Sequence, residues 1–399
     1  MLIVDLAMIV IAGAIMVPVI VLSTETFSAL VLSSNQHPPT NGPFTRGRVA
    51  VIVPAHNESN GISRTISDIR SQMRSGDTLV VVADNCADDT AEVARSAGAE
   101  VVERRDLSKV GKGFALDFGI RHLSSRPPET VIVIDADCRV AAGSIDRLAY
   151  TCTITGRPSQ SYDLMIAPKH ARVELRVAEF AWRVKNWIRP LGQLALGLPC
   201  QLMGTGMAFP WALISRMNLA SAETVEDVKL GVDLTLAGHA PIFCPQALVT
   251  SEFPTHSDAA ISQRERWEHG HLRMLVGAAP RLIWRGLKDR NPEVLATGLD
   301  LSVPPVILLM LLSASTTTIT GILFTTVPGF SGVAFLLAGI NLTLLTTTLA
   351  LCWFTHGRDI LPPSAFFALF AFVMQKTIIY GRIVIRKRPP GWVRTSRDK

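Results

Sequence analysis

The chain has 399 residues, of which 48% are hydrophobic, and a formal net charge of +6 at pH 7. This length allows one large soluble domain with membrane segments, or two ordinary domains. The charge is modest and no RNA- or DNA-binding motif is visible, so we expect contact with anionic lipid rather than with nucleic acid. The six cysteines show no CxxC pair and no metal-ligand spacing, which predicts reduced, buried thiols.

Apolar residues are concentrated at the two ends of the chain, and residues 46–290 have the charge density of a soluble domain. The run from Leu2 to Leu22 is interrupted only by Asp5, and it is long enough to cross a hydrocarbon layer of roughly 30 Å. We therefore predict a transmembrane anchor over residues 1–33 and a linker over 34–48. A cleaved signal peptide is the alternative, but no basic residue precedes the run and no small-residue cleavage pattern follows it.

The central block, residues 49–290, alternates short apolar runs with helical patterns. Ile62, Ile66 and Ile69 lie on one face of the first predicted helix, and further helices are expected at 90–97 and 113–123. The strands between them are RVAVIVPA, TLVVVADN, EVVER and TVIVIDAD. Strands and helices that alternate at this interval predict an α/β domain, with a mostly parallel sheet and helices on both faces.

Four carboxylates follow the predicted strand ends: Glu58, Asp84, Asp135 and Asp137. In open α/β sheets, ligands bind beyond the carboxyl ends of the strands. A single Asp at such a position is more often a turn former or a helix cap than a ligand. Four such acids on one edge of one sheet instead predict a binding site.

The Asp135-Ala136-Asp137 motif offers two hard oxygen ligands on one side of the chain, because alternate residues of an extended segment point the same way. Such a pair suits Mg²⁺ or Mn²⁺ bridged to phosphates. Asp137 is favoured as the direct ligand.

An interfacial or core helix is expected between Arg176 and Leu194, where Phe180, Trp187 and Leu191 lie near one face amid basic residues. Beyond the central block, three apolar stretches occupy residues 298–325, 332–355 and 359–385. We predict that the first two span a membrane, although Pro304 and Pro305 lie near the start of the first.

The third stretch contains Lys376, whose charge is costly at bilayer depth, so this stretch either spans or lies along the interface. Residues 386–399 form a basic tail. Arg46, Arg48 and this tail all favour the cytosolic side, which cannot hold for every one of them if the third stretch crosses fully. We predict a multi-pass protein of the bacterial inner membrane with its central domain in the cytosol.

Two further motifs follow along the chain: TVEDVKLG, with Glu226 and Asp227, and QRERW, from Gln263 to Trp267. With ADNC and IDAD before them, they resemble the membrane-bound inverting glycosyltransferases of family 2, such as cellulose, chitin and hyaluronan synthases and bacterial exopolysaccharide synthases. QRERW is typical of processive members and also occurs in ceramide glucosyltransferase-like enzymes. The resemblance implies a GT-A-like, nucleotide-sugar-binding cytosolic domain flanked by transmembrane helices.

The resemblance also implies roles for individual residues. Asp227 would be the catalytic base, supported by Glu226, and Asp135 and Asp137 would bind Mg²⁺ or Mn²⁺. Donor binding would involve Glu58, Asp84, Lys112, Asp135, Asp137 and Arg266, and acceptor binding Gly204, Gly206, Gln263 and Trp267. The family often has two adjacent acids where this chain has Ala83-Asp84, which leaves the nucleotide open.

Simpler interpretations exist for the last two motifs. Acids also favour the first turn of an ordinary helix, which would account for Glu226 and Asp227. QRERW could belong to an amphipathic helix with Trp267 at the membrane surface, and both interpretations of that motif can hold together.

The expected function is that of an inverting, metal-dependent glycosyltransferase. It would move a sugar from a nucleotide diphosphate sugar to a growing polysaccharide or a lipid-linked acceptor. A UDP-sugar is the favoured donor. One alternative is a non-processive enzyme that adds a single sugar to a lipid, and another is a catalytically degenerate scaffold or export component. The expected partners are membrane lipids and, for export, other polysaccharide synthesis proteins or a second copy of the chain.

Overall fold

The computed structural model describes residues 2–32, 46–221, 223, 225–253 and 257–363, and the side chains of all of these except 257–266. Most of the predicted linker, the third apolar stretch beyond residue 363 and the basic tail lie outside the described residues. Within the described part, the chain divides into two units. The sheet unit takes the described residues within 46–170 and 199–267, and the helical unit takes residues 2–32, 171–198 and 268–363.

The helices and strands follow one another in this order: α1 (Leu2–Leu32), β1 (Val49–Ala55), α2 (Ile62–Arg70), β2 (Thr78–Asp84), α3 (Thr90–Ser96), β3 (Glu100–Arg104), α4 (Lys112–Leu123), β4 (Thr130–Val133), β5 (Arg139–Val140), α5 (Ser144–Thr155), β6 (Ser159–Ile166), α6 (Val173–Arg183), a π-helical turn (Val184–Ile188), α7 (Arg189–Ala195), β7 (Met207–Pro210), α8 (Trp211–Ile214), α9 (Glu226–Leu236), β8 (Ile242–Glu252), α10 (Ser257–Gly277), α11 (Ala279–Lys288), α12 (Pro292–Leu301), α13 (Val306–Thr326) and α14 (Gly332–His356).

The sheet unit is built on eight strands in the order β3-β2-β1-β4-β7-β6-β8-β5. The first four strands are parallel, as predicted, with Ile52 of β1 beside Val80 of β2 and Val133 of β4. In the second half, β6 and β8 are parallel, whereas β7 runs antiparallel to both β4 and β6, and β5 runs antiparallel to β8. The predicted α/β class is confirmed, and the sheet as a whole is mixed.

Helices cover both faces of this sheet, because alternate residues of its strands point to opposite sides. Val51 of β1 packs on one side with Ile66 of α2 and Leu148 of α5. Ile52 packs on the other side with Ile120 of α4, in a cluster that includes residues of α9. Two apolar layers therefore enclose the central strands, which explains their continuous apolar runs.

The helical unit contains three helices that are long and apolar enough to cross a membrane, α1, α13 and α14, as far as the described residues show. The first of the predicted C-terminal spans begins later than expected. α12 ends at Leu301 and α13 begins only at Val306, because Pro304 and Pro305 interrupt the helix between them. These three helices indicate that the protein associates with a membrane.

Polar contacts join α1 to α14 along their length. Ser23 and Thr348 share a hydrogen bond of 2.8 Å, and Asn341 Nδ2 donates to the carbonyl of Ala12 at 2.8 Å. In hydrocarbon, polar groups need such internal partners because water is absent.

The segment that carries Phe180, Trp187 and Leu191 packs these side chains against the apolar cluster that α1 forms with α13 and α14. Of the two interpretations made from sequence, the core helix describes these three side chains better, because they lie against protein. Gly192 of the same segment is needed for a close approach, since a Cβ there would overlap the backbone of Glu25.

Three buried ionic groups connect the helices of this unit. Arg189 of α7 donates through Nε to Glu25 of α1 at 2.6 Å and through Nη2 to the carboxylate of Asp300 in α12. Gln193 donates to the other oxygen of Glu25 at 2.9 Å. Burial disfavours the charge of Arg189, but the two carboxylates outweigh this and raise its pKa.

Replacing Arg189 with Ala should lower the free energy of unfolding by about 3–5 kcal/mol, because two buried carboxylates would lose their cation. Denaturant titration of the detergent-solubilised protein would measure the change. Arg95→Ala is the matched control, since Arg95 pairs at 2.5 Å with Glu103 and the two side chains are 51% and 41% exposed. That loss should stay within about 1 kcal/mol, and equal losses in the two variants would contradict the structural role of the buried group.

Candidate functional site

The loop that follows β4 presents two of the predicted acids at the sheet edge. Ala136 is buried, while Asp135 and Asp137 on either side of it are half-buried. The hydroxyl of Thr65, on α2, lies 2.8 Å from the carbonyl oxygens of both Ala136 and Cys138. Thr65 thereby holds the backbone of the loop from below and leaves both carboxylates facing away from the core.

Lys112, the first residue of α4, links this loop to a second one. Its ammonium donates to the carbonyl of Gly204 at 2.7 Å and forms an ion pair with Asp135. Burial would lower the pKa of Lys112, but Asp135, Glu226 and Asp227 outweigh burial and raise it. The lysine is therefore a permanent positive charge among three carboxylates.

Glu226 and Asp227 open helix α9 on the same side of the site. Burial and the adjacent charge of Asp227 raise the pKa of Glu226. Gly204 lies between this helix and the lysine: a Cβ built on it would be 3.3 Å from Asp227 Oδ2 and 3.7 Å from Lys112 Nζ. The structure thus brings Lys112, Asp135, Glu226 and Asp227 together around a residue that has no side chain.

The loop around Gly204 has a backbone that favours glycine at two positions, because Gly204 and Gly206 have φ values of 90° and 63°. Gln160, fully buried on β6, holds this loop from beneath. Its Oε1 accepts from the N–H of Met203 at 2.8 Å, and its Nε2 donates to the carbonyl of Thr205 at 2.9 Å. Thr205 Oγ1 in turn accepts from the N–H of Asp135 at 3.1 Å, which joins the two loops.

Sequence reasoning did not identify Gln160 or Thr65 as parts of the site. Both are uncharged residues on core elements, and their partners in the site loops are backbone groups at least 43 residues away along the chain. The polar run SQSYD at the start of β6 is the one local signal that could have indicated buried hydrogen-bond partners in this strand.

Glu58 lies three residues after β1 and Asp84 is the last residue of β2, and the two strands pair in register up to Ala55 and Ala83. Asp84 is buried, with only 6% of its surface exposed, and Arg104 Nη1 donates to its carboxylate at 2.6 Å. Burial raises the pKa of Asp84, and the arginine acts in the opposite direction. Arg104 was missed by sequence reasoning, because nothing in EVVER marks it as the partner of an acid on the neighbouring strand.

Three of the predicted residues belong to QRERW in α10. The side chains of Gln263 and Arg266 lie outside the described residues. Trp267 is half-buried at the end of the sheet unit. Its proposed contact with a sugar stays a prediction.

A cavity opens beside Glu226 and Asp227. A Cβ on Gly113, at the start of α4, would come within 2.5 Å of the carbonyl of Leu219 and 2.7 Å of that of Ser221, so glycine is required for this close packing. Apolar and polar side chains both line the cavity, whose walls are Gly113, Leu116, Met207, Asn218, Leu219, Ser221, Glu226, Asp227, Lys229, Leu230 and Asp233.

The described residues contain no group of three or more His, Cys, Asp or Glu side chains placed to hold a metal ion. Asp135 and Asp137 nevertheless suit a cation that takes only one or two ligands from the protein. Mg²⁺ is usually held by one or two carboxylates, with water and substrate phosphates completing its coordination. Two half-buried carboxylates on one loop are a donor set of this kind.

Known structures resemble the chain to different extents. A mannosyltransferase from Pyrobaculum calidifontis, in complex with GDP-mannose and Mn²⁺, is similar over 92% of this chain and 98% of its own, with a TM-score of 0.53 and 15% identity. A glucosyl-3-phosphoglycerate synthase from Mycobacterium tuberculosis, with Mn²⁺ and UDP-glucose, is similar over 58% and 83%, with a TM-score of 0.39 and 22% identity. The first likeness shows the GT-A-like fold of this chain.

Among curated proteins, none matched the chain. The sequence model of glycosyltransferase-like family 2 matches residues 46–270, which is more than half of the chain and includes all of the residues grouped around Lys112. The chain therefore belongs to the glycosyltransferase-like family 2.

Proposed function

We propose that this protein is an inverting, metal-dependent glycosyltransferase of the membrane-bound synthase type. It moves a sugar from a nucleotide diphosphate sugar to a growing polysaccharide or a lipid-linked acceptor. A UDP-sugar is the favoured donor. The observation that carries the proposal is the grouping of Lys112, Asp135, Glu226 and Asp227 around Gly204. One cation among several acids, open on one side, suits a substrate that bears both phosphates and hydroxyl groups.

In this mechanism Asp227 accepts the proton of the acceptor hydroxyl as its oxygen bonds to the anomeric carbon. The bond from that carbon to the diphosphate breaks on the opposite face, so the configuration at the carbon is inverted. Burial and the charge of Asp227 raise the pKa of Glu226, which fits a supporting role for Glu226 beside Asp227.

The donor side of the site combines fixed and exchangeable positive charge. Asp135 and Asp137 would hold Mg²⁺ or Mn²⁺, which when bound neutralises charge on the departing diphosphate. Lys112 supplies a positive charge at the same place from the chain itself, already oriented by Asp135 and the Gly204 carbonyl. Glu58, Asp84 and Arg266 are proposed for the nucleotide and diphosphate, and Gly204, Gly206, Gln263 and Trp267 for the acceptor.

The membrane helices bear on the product. Among the described residues, three helices are long enough to span, which is little material for a wide polysaccharide channel in a single copy. A polymer product would therefore need a second copy or partner proteins for export. This observation favours, as a second candidate, the transfer of a single sugar to a membrane lipid.

The proposal is tested by assaying the purified protein in lipid with a panel of labelled UDP- and GDP-sugars, with and without Mn²⁺. Metal-dependent transfer from one donor is expected. A ladder of labelled products identifies a polymerase, and a single lipid-linked product identifies the non-processive enzyme. Absence of both transfer and donor hydrolysis with every donor would support the scaffold interpretation instead.

Asp137→Ala should abolish the Mn²⁺-dependent part of donor binding, because the favoured direct ligand of the cation is removed. Titration of the UDP-sugar with and without Mn²⁺ measures this. Asp117→Asn is the control, since Asp117 pairs with Arg121 on the surface of α4. Unchanged metal dependence in Asp137→Ala would refute the role of the DxD motif.

Asp227→Asn should leave donor binding intact and lower kcat by about 10²- to 10⁴-fold, because the amide cannot accept the proton. Donor affinity and turnover are measured on the same preparation, again beside Asp117→Asn. A variant that turns over normally would show that another group is the base.

Gly204→Ala should lower kcat by about 10- to 100-fold, because its Cβ would lie 3.3 Å from Asp227 Oδ2 and shift that carboxylate by a few tenths of an ångström. Gly238→Ala is the matched control: Gly238 has a φ of 83°, close to the 90° of Gly204, but a Cβ there would meet no atom within 4 Å. Both variants should lose a similar stability, about 1–2 kcal/mol, from the left-handed backbone. Equal activities of the two variants would argue against a crowded site at Gly204.

A further inference from the structure

An apolar stripe is exposed along the end of α10 and the length of α11. Val276, Pro280, Trp284 and Leu287 lie at helical spacing, and all four are exposed. Val276, Trp284 and Leu287 expose 74%, 70% and 59% of their surface. Apolar side chains this large are seldom left in water in a row, so the stripe needs a partner.

A basic stripe runs beside it. Arg281, Arg285 and Lys288 are all exposed and follow the same helical spacing. Arg285 also contacts Asp289 at 3.3 Å, but both side chains are about half exposed, so this pair neutralises little of the positive field. The exposed side of α11 is thus divided lengthwise into an apolar half and a cationic half.

The remaining side of α11 is held against α12. A Cβ on Gly286 would come within 2.5 Å of the N atom of Leu295, and a Cβ on Gly298 would come within 2.7 Å of that of Ile283. The two helices are therefore in near backbone contact, with Leu282 of α11 buried. Because α11 cannot rotate without breaking this contact, both stripes stay on the outside of the helical unit.

The position of α11 along the chain places it near a membrane-spanning helix. Only four residues, 302–305, separate the end of α12 at Leu301 from the start of α13 at Val306, and the five steps of chain from Leu301 to Val306 reach about 18 Å at most. A second connection comes from His271 on α10, whose Nε2 donates to the carbonyl of Val303 at 2.9 Å. Burial lowers the pKa of His271 to about 4, so the ring is neutral and carries its proton on Nε2.

We propose that the exposed face of α11 docks on the bilayer surface and binds anionic lipid headgroups there. Val276, Trp284 and Leu287 would enter the boundary between headgroups and acyl chains, and Arg281, Arg285 and Lys288 would contact the phosphates. This is the arrangement of an amphipathic helix that lies in the plane of the interface. It is independent of the transfer reaction, because none of these residues belongs to the group around Lys112.

Charge distinguishes lipid from the other possible occupants of this face. The tail RKRPPGWVRTSRDK is strongly basic, and a second copy would bring an identical row of cations to the contact. Both would be repelled by the basic stripe. An anionic leaflet attracts the basic stripe. Each basic residue close to the surface contributes about 1 kcal/mol of binding free energy, which is about fivefold in the binding equilibrium.

The test uses the full chain in nanodiscs of phosphatidylcholine, with or without phosphatidylglycerol, and an environment-sensitive fluorophore on Leu287→Cys. Quenching by lipids with brominated acyl chains reports whether the stripe lies in the membrane. We expect quenching that is stronger with phosphatidylglycerol. Arg281→Glu, Arg285→Glu and Lys288→Glu together should remove this lipid preference, at about fivefold per residue in the ratio of docked to undocked helix.

Three controls make the result specific. Arg281→Lys, Arg285→Lys and Lys288→Arg together preserve charge and should keep the preference. Leu336→Cys, 64% exposed on α14, should be quenched equally in both lipids. Protein without an added cysteine corrects for labelling of Cys86, which is half-buried where the other five are buried.

Two results would overturn the proposal. One is quenching of the Leu287→Cys label that does not depend on phosphatidylglycerol, or no quenching in either lipid. The other is protection of the label from both brominated lipid and aqueous iodide, which would show that protein covers the stripe.

Discussion

The site depends on one interaction, the placement of Lys112 among three carboxylates. Its ammonium reaches Asp135 on one loop and the carbonyl of Gly204 on another, and its charge acts on Glu226 and Asp227 at the start of α9. Without this cation the acids would repel one another across a half-buried space. The lysine therefore allows carboxylates from separate elements to share one site.

The rigidity of this site comes from uncharged residues below it. Thr65 and Gln160 hydrogen-bond to the backbone of the two loops and not to the acids themselves. Gly204 leaves space beside Asp227 and Lys112, and Gly206 packs closely on Ser161, where a Cβ would overlap. The hydrogen bonds beneath the loops and the glycines within them together fix the backbone around the carboxylates.

The helical unit has apolar outer surfaces suited to lipid, so its polar groups need partners inside the protein. Arg189, Glu25 and Asp300 pair their charges inside it, and Ser23, Thr348 and Asn341 find partners between α1 and α14. Polar groups turned inward and apolar surface turned outward are what a bilayer requires. In the proposed docking of α11, apolar side chains likewise face lipid, and basic side chains face the headgroups at the membrane surface.

By itself, the sequence determined the features that are repeated or adjacent along the chain. The helical spacing of Ile62, Ile66 and Ile69, the parallel strands β1 to β4, the apolar helices and the pair Asp135 and Asp137 could all be predicted, because each lies within one element or one repeat. Only the tertiary structure decided that Arg104 pairs with Asp84, that Gln160 and Thr65 hold the site loops, and that Arg189 joins Glu25 to Asp300. It also decided the antiparallel strands of the second half of the sheet and the exposed side of α11. Such contacts join residues that are up to 164 positions apart. The packing of whole elements determines these contacts, because the periodicity within one element does not identify a distant partner.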